Sequence, residues 1–250
     1  MKSISTLALA TSLTLSLAAV SMPAAAQSER SEQRARRLVA ELREDLRPVE
    51  DQIRNARFLA DLEAGRVSQA QLRAFAGEQY QILINDVRSV AHMVSRFGTE
   101  PTGVFFRGNL EGELIARGLF LDFAAALGMT EADLLAYEPR PQGQTYGHYV
   151  ATMAAYATNA QIAAAFLVNF PVFGENTGRM GAALRNRYGM TAEQTAFFDF
   201  FSGLPPTFEP EALAVIAAGL DKGAEPREIK RSARLLQAYE KDFWEAVGRR

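Results

Sequence analysis

From residue 29 onward the apolar residues recur every three or four positions, and nowhere do β-branched residues alternate with polar ones. That period is the signature of amphipathic helices. Residues 29–64 are rich in Arg and Glu, with Leu38, Leu42, Leu46, Val49 and Ile53 on one side; Pro48 is expected to bend or split this helix and Gly65 to end it. Ser68 with Gln71 forms a capping-box pattern before a face of Leu72, Phe75, Leu83, Val87, Val90, Val94 and Phe97, closed by Gly98. A third helix is expected over 104–127, and a short one capped by Thr130 through Tyr137, followed by a loop at Pro139 and Pro141. Residues 145–168 are Ala-rich and apolar almost all round, as in a central buried helix; Pro171 is expected to interrupt it before a further helix over 172–188. Thr191 with Gln194 opens a Phe-rich segment, and residues 208–220 and 226–247, with Pro226 in the first turn, complete the pattern. No Asn-Gly hairpin and no internal repeat occurs. The expectation is an all-α bundle of eight or nine helices.

The first 26 residues fall outside this pattern. Lys2 is the only charge before Glu29, an apolar run spans Ile4 to Val20, and Pro23-Ala24-Ala25-Ala26 forms a small-residue cleavage site. This reads as a Sec-type signal peptide over 1–26. Residues 27–250 then form one domain, periplasmic or secreted, with no membrane span left after cleavage. The formal net charge of −2 gives no basic surplus for nucleic acid, and the absence of Cys excludes disulfides, thiolate metal sites and a cysteine nucleophile.

Candidate chemistry is sparse. His92 and His148 are the only histidines, and no Glu-x-x-His or His-x-x-x-His occurs. Glu78 and His92 share a helical stripe but stand about 21 Å apart along it, too far to share one ion. Gly-x-Ser-x-Gly and Gly-x-x-x-x-Gly-Lys are both absent. No metal and no cofactor is expected. Within FFDFFSGLPPTFEP (197–210), Asp199 points away from the Phe197, Phe201 and Leu204 side and reads as a rim residue. What remains is a wealth of aromatics, Tyr80, Tyr156, Phe173, Phe201 and Tyr239 among them. They are interleaved with Gln79, Asn85, Asn159, Asn169, Glu175 and Glu240, a combination suited to lining a mostly apolar pocket with a few polar groups.

Four passages in order resemble the TenA/PqqC family of heme-oxygenase-like helical bundles: RFLADLEAGRVSQAQLRAFAGEQYQIL (57–83), NLEGELIARGLFLDFAAALGM (109–129), FLVNFPVFGENTG (166–178) and YEKDFW (239–244). The resemblance covers nearly all of residues 35–248, its most specific piece being the closing Glu-x-x-Phe-Trp. It implies the fold, and for thiaminase-type members a Cys that attacks a pyrimidine, a Glu that shuttles the proton, an Asp at the ring's amino edge and stacking tyrosines. Carried over, the Glu is Glu240, the Cys falls on Asn169, the Asp on Gln79 (beside Glu78 and Tyr80) and a stacking Tyr on Phe173. An amide cannot replace a thiolate as nucleophile. The di-iron branch would need ligands where Asn85, Phe201, Pro205 and Phe208 stand.

The candidate ligand-binding set is thus Gln79, Tyr80, Glu78, Asn169, Phe173, Phe201, Tyr156 and Tyr239, with Glu240 as acid or base. Three readings follow: an exported protein binding a small thiamine- or pyrimidine-like heterocycle, a cofactor-free hydrolase of related compounds using Glu240, or an assembly protein on the same fold. The resemblance also implies a homodimer or homotetramer.

Overall fold

The computed structural model describes residues 24–249, with side chains from 28 onward. Residues 1–23 of the expected leader lie outside the described residues. Ten α-helices follow: α1 Ala24–Arg54, α2 Arg57–Glu63, α3 Gln69–Phe97, α4 Val104–Ala126, α5 Glu131–Leu135, α6 Thr145–Tyr156, α7 Asn159–Tyr188, α8 Ala196–Ser202, α9 Phe208–Asp221 and α10 Pro226–Val247. Short 3₁₀ turns at Pro141–Gln144 and Glu193–Thr195 precede α6 and α8, and no strand occurs among the described residues.

The boundaries are set by local chemistry. Ser68 and Gln71, Thr130 and Asp133, and Thr158 and Gln161 each form a reciprocal capping box, satisfying two backbone donors that the first helical turn leaves free. Thr191 and Gln194 make the same exchange ahead of α8.

The two interior prolines do not act as the sequence suggests. α1 runs through Pro48, and the break falls later, between Arg54 and Arg57. Pro48 is exposed, so water can meet the carbonyl it leaves without a donor, while Leu42, Leu46, Glu50 and Ile53 stay buried on one face. α7 likewise continues through Pro171, and the true interruption lies at Ala157–Thr158, where Thr158 caps a new helix. Burial of α7 against α8, α9 and α10 outweighs the roughly 3 kcal/mol of an interior proline. Gln237 Nε2 reaches Val168 O, in the turn before the proline, at 3.3 Å.

α7 is the axis of the bundle, flanked by α10, α8 and α9, while α3 pairs with α4 and α6. A phenyl cluster ties these layers together: Phe75 of α3 stacks on Phe58 of α2 at 5.4 Å and lies 6.2 Å from Phe123, Phe198 and Phe243. Gly174 permits a close approach of α8 to α7, since a Cβ there would stand 2.4 Å from Phe201 O. α8 is thereby held against α7, and the Phe201 ring meets Phe173 edge-on at 5.1 Å.

Candidate functional site

Where α3, α4, α6, α7, α8 and α10 converge they leave a small inner chamber of about 30 Å³. Each helix contributes residues from its buried stripe: Gln79, Leu83 and Asp86 at one- and two-turn spacing on α3, Asn169 and Phe173 on α7, Glu240 and Phe243 on α10. Glu113 of α4, Tyr146 of α6 and Phe201 of α8 complete the wall.

Glu240 is buried and accepts a hydrogen bond from Trp244 Nε1 at 2.7 Å, one turn along α10. Burial pushes its carboxyl up to about 7, against the opposing pull of hydrogen bonds from Trp244 and Asn169. Glu113 is likewise raised to about 7 by burial. Asp86 is raised well above the ordinary range by burial first, then by the negative fields of Glu113 and Glu240. The Tyr146 hydroxyl is raised by burial and by the same three carboxyls. A group poised near neutrality can both give and take a proton at working pH, which is what general acid–base chemistry requires.

Asn169 has a different character. Tyr146 donates to its Oδ1 at 3.2 Å, and its Nδ2 donates to Gln237 Oε1 at 2.8 Å. Gln237 in turn donates to Glu50 Oε1 at 3.2 Å. Asn169 is therefore the hub of a buried amide network joining α1, α6, α7 and α10. By contrast, Gln79 Oε1 and Asp86 Oδ1 are buried without a hydrogen-bond partner.

Of the candidate residues, Gln79, Asn169, Phe173, Phe201 and Glu240 line the chamber, and four do not. Tyr156 is 85% exposed at the end of α6. Tyr239 packs on Tyr149 at 5.2 Å, one position round α10 from the chamber face. Tyr80 is buried on the other side of α3, stacked on Phe120 at 6.0 Å with its hydroxyl bonded to Glu131. Glu78 is a buried anchor: its carboxylate accepts from Arg140 N at 2.9 Å, Gln144 Nε2 at 2.8 Å and Tyr137 OH at 3.3 Å, fastening the segment between α5 and α6. Adjacent positions on a helix diverge by about 100°, so only one of Glu78, Gln79 and Tyr80 can face a given space. Among the other polar residues, Asn85 bonds Gly147 O, Asn159 bonds Glu100 and Glu175 pairs with Arg54. Asp199 pairs with Arg185 at the surface at 2.7 Å, as a rim residue should.

Asp86, Glu113 and Tyr146 are the site residues the sequence reading passes over. Their signal is present: Asp86 lies between Leu83 and Val90 on the apolar stripe of α3, and Glu113 lies seven residues from both Phe106 and Phe120. A carboxylate on a buried stripe is costly unless it is paired, hydrogen-bonded or protonated, which makes it stand out from its apolar neighbours. Among the described residues, no three His, Cys, Asp or Glu side chains are placed to hold a metal ion.

An outer chamber of about 250 Å³ adjoins the inner one, with Glu113, Phe170 and Phe201 lining both. Phe105, Phe200, Leu204, Pro205 and Phe208 form its apolar walls, and Gly108 and Gly112 of α4 lie along it.

The chain matches the family model described as TENA/THI-4/PQQC over residues 43–250. A comparison with curated proteins gives no match. Among solved structures, a TenA homologue from Pseudomonas syringae pv. tomato superposes with a TM-score of 0.68 at 16% identity, over 83% of this chain and 91% of that one. A TenA homologue from P. horikoshii gives 0.66 at 15%, over 84% and 97%. A Shewanella denitrificans domain of unknown function with a heme oxygenase-like fold gives 0.62 at 16%, over 84% and 89%. At such identities the likeness concerns the fold, and it agrees with the all-helical architecture described above. The family match spans most of the chain, and the chain belongs to the TENA/THI-4/PQQC family.

Proposed function

We propose that this protein binds a small nitrogenous compound of the aminopyrimidine kind without covalent catalysis, its amino edge directed at Gln79 and Glu240. The observation that carries this reading is the state of Asn169. It stands where the family resemblance puts a nucleophilic cysteine, and both heteroatoms of its side chain are engaged with Tyr146 and Gln237. An amide so held is a poor nucleophile and a good spacer. With residues 1–26 read as a leader, binding takes place outside the cytoplasm.

A second reading has its own support. Glu240, raised to about 7 by burial, is poised to activate water, and the Asn169 amide beside it would steady developing charge. On this reading the protein hydrolyses a C–N bond of a related compound.

Incubation of the purified protein with thiamine and with 4-amino-2-methylpyrimidine separates the two. Binding alone raises the melting temperature and leaves the compounds intact by chromatography. Turnover that disappears in Glu240→Gln replaces the binding reading with the hydrolase.

A further inference from the structure

The inner chamber is chemically one-sided. Its polar lining is acidic: Gln79 Oε1 and Asp86 Oδ1 have no hydrogen-bond partner, and the carboxyls of Asp86, Glu113 and Glu240 face the same space. No Lys, Arg or His lines it. Of the other polar groups there, Tyr146 and the Asn169 amide bond within the network and Trp244 bonds Glu240. Buried acceptors left without donors are costly, so a ligand able to supply N–H groups gains what the fold has forgone.

Size narrows the class. At about 30 Å³ the inner chamber is far smaller than the roughly 150 Å³ of an apolar cavity that takes benzene, so it suits an ammonium group and not a ring. The outer chamber is about eight times larger and apolar, and Glu113 stands at the junction. A Cβ on Gly108 would meet nothing within 4 Å, and one on Gly112 only Phe200 at 3.9 Å, so these glycines leave the wall along α4 open.

We propose that the ligand is an amphiphilic amine, its protonated nitrogen held in the inner chamber by Asp86, Glu113 and Gln79 and its apolar body filling the outer chamber between α4, α8 and α9. This rests on the reading that the inner chamber receives a nitrogenous group, and it adds the charge and the hydrophobic arm. The ammonium supplies the missing donors and a counter-charge to the carboxyls, and the phenylalanine walls take the body out of water.

Isothermal titration of the full chain with n-butylamine, n-hexylamine and n-octylamine, alongside octanoate, octanol and 4-amino-2-methylpyrimidine, tests it. Affinity is expected to rise about three- to fourfold per methylene until the outer chamber fills. Glu113→Gln, an isosteric change, is expected to weaken octylamine at least about thirtyfold. Gly112→Leu, which occupies the outer chamber, is expected to abolish the chain-length gain while butylamine still binds. Octanoate or octanol binding as well as octylamine overturns the proposal, as does a response to divalent cations alone. Binding of the aminopyrimidine without any amine overturns it and leaves the parent reading standing, whereas silence from every compound removes both.

Discussion

Trp244 donates its indole N–H to Glu240 Oε1 at 2.7 Å, and both side chains are buried within one turn of α10. The bond does two things. It gives the indole nitrogen a partner, and it holds the carboxyl in a single orientation with its proton affinity moderated. Burial alone would raise Glu240 further, because a carboxylate in an apolar site has lost its water. The YEKDFW ending is thus a device in which the tryptophan tunes the glutamate.

Trp244→Phe should therefore raise the titration midpoint of Glu240 above its value of about 7 while the fold is kept. Carbon-13 NMR of labelled glutamate side chains across pH 5–9 reads this directly. An unchanged midpoint would mean that the indole contributes packing only.

The ligand-free protein should lose stability as pH rises. Glu240 moves from an ordinary 4.5 to about 7 on folding, Glu113 does the same, and Asp86 is also raised. Between these limits the folded chain retains protons that the unfolded chain has released, so stability is highest below about pH 4.5 for these groups and falls until about pH 7. For Glu240 the difference corresponds to roughly 3 kcal/mol. Urea denaturation at pH 5 and pH 8 should show the drop, and Glu240→Gln should shrink it by about that amount; equal losses in both proteins would rule Glu240 out as its source.

Glu78→Ala should cost about 3 kcal/mol by leaving Arg140 N, Gln144 Nε2 and Tyr137 OH without their acceptor. Hydrogen exchange at the Arg140 amide should accelerate, while affinity for chamber ligands changes little. A selective loss of affinity with stability intact would instead return Glu78 to the site.

Gly174→Ala should destabilise by about 1–2 kcal/mol, the strain of a Cβ 2.4 Å from Phe201 O exceeding the helix-propensity gain of roughly 1 kcal/mol. Urea melts measure the loss, and ligand affinity should fall too because Phe201 is displaced from the chamber wall. Tyr156→Ser, at an 85% exposed position, should change stability by less than about 0.5 kcal/mol.

Helix positions were largely legible in the chain because capping boxes and the 3.6-residue apolar period are local. Ser68 with Gln71 and Thr191 with Gln194 mark their starts without help from tertiary contacts. The prolines misled. Whether Pro48 or Pro171 breaks a helix depends on what is buried on either side, and that is not written beside the proline. The Thr158–Gln161 box, which does mark the real break, carried the same local signal as the others.

Half of the site followed from the sequence and half did not. The apolar stripes, the buried Glu240 and the family membership are consequences of residue order, since periodicity decides which face of each helix turns inward. Only the tertiary structure decided that Gln79 faces the chamber while Glu78 and Tyr80 turn elsewhere, and that Asp86 and Glu113, 27 residues apart on different helices, meet Glu240 in one apolar space. Helix rotation and crossing arise from side-chain packing summed over many contacts. A change of one position on a helix swings a side chain by about 100°, so the residues that meet are settled by that packing and not by their order.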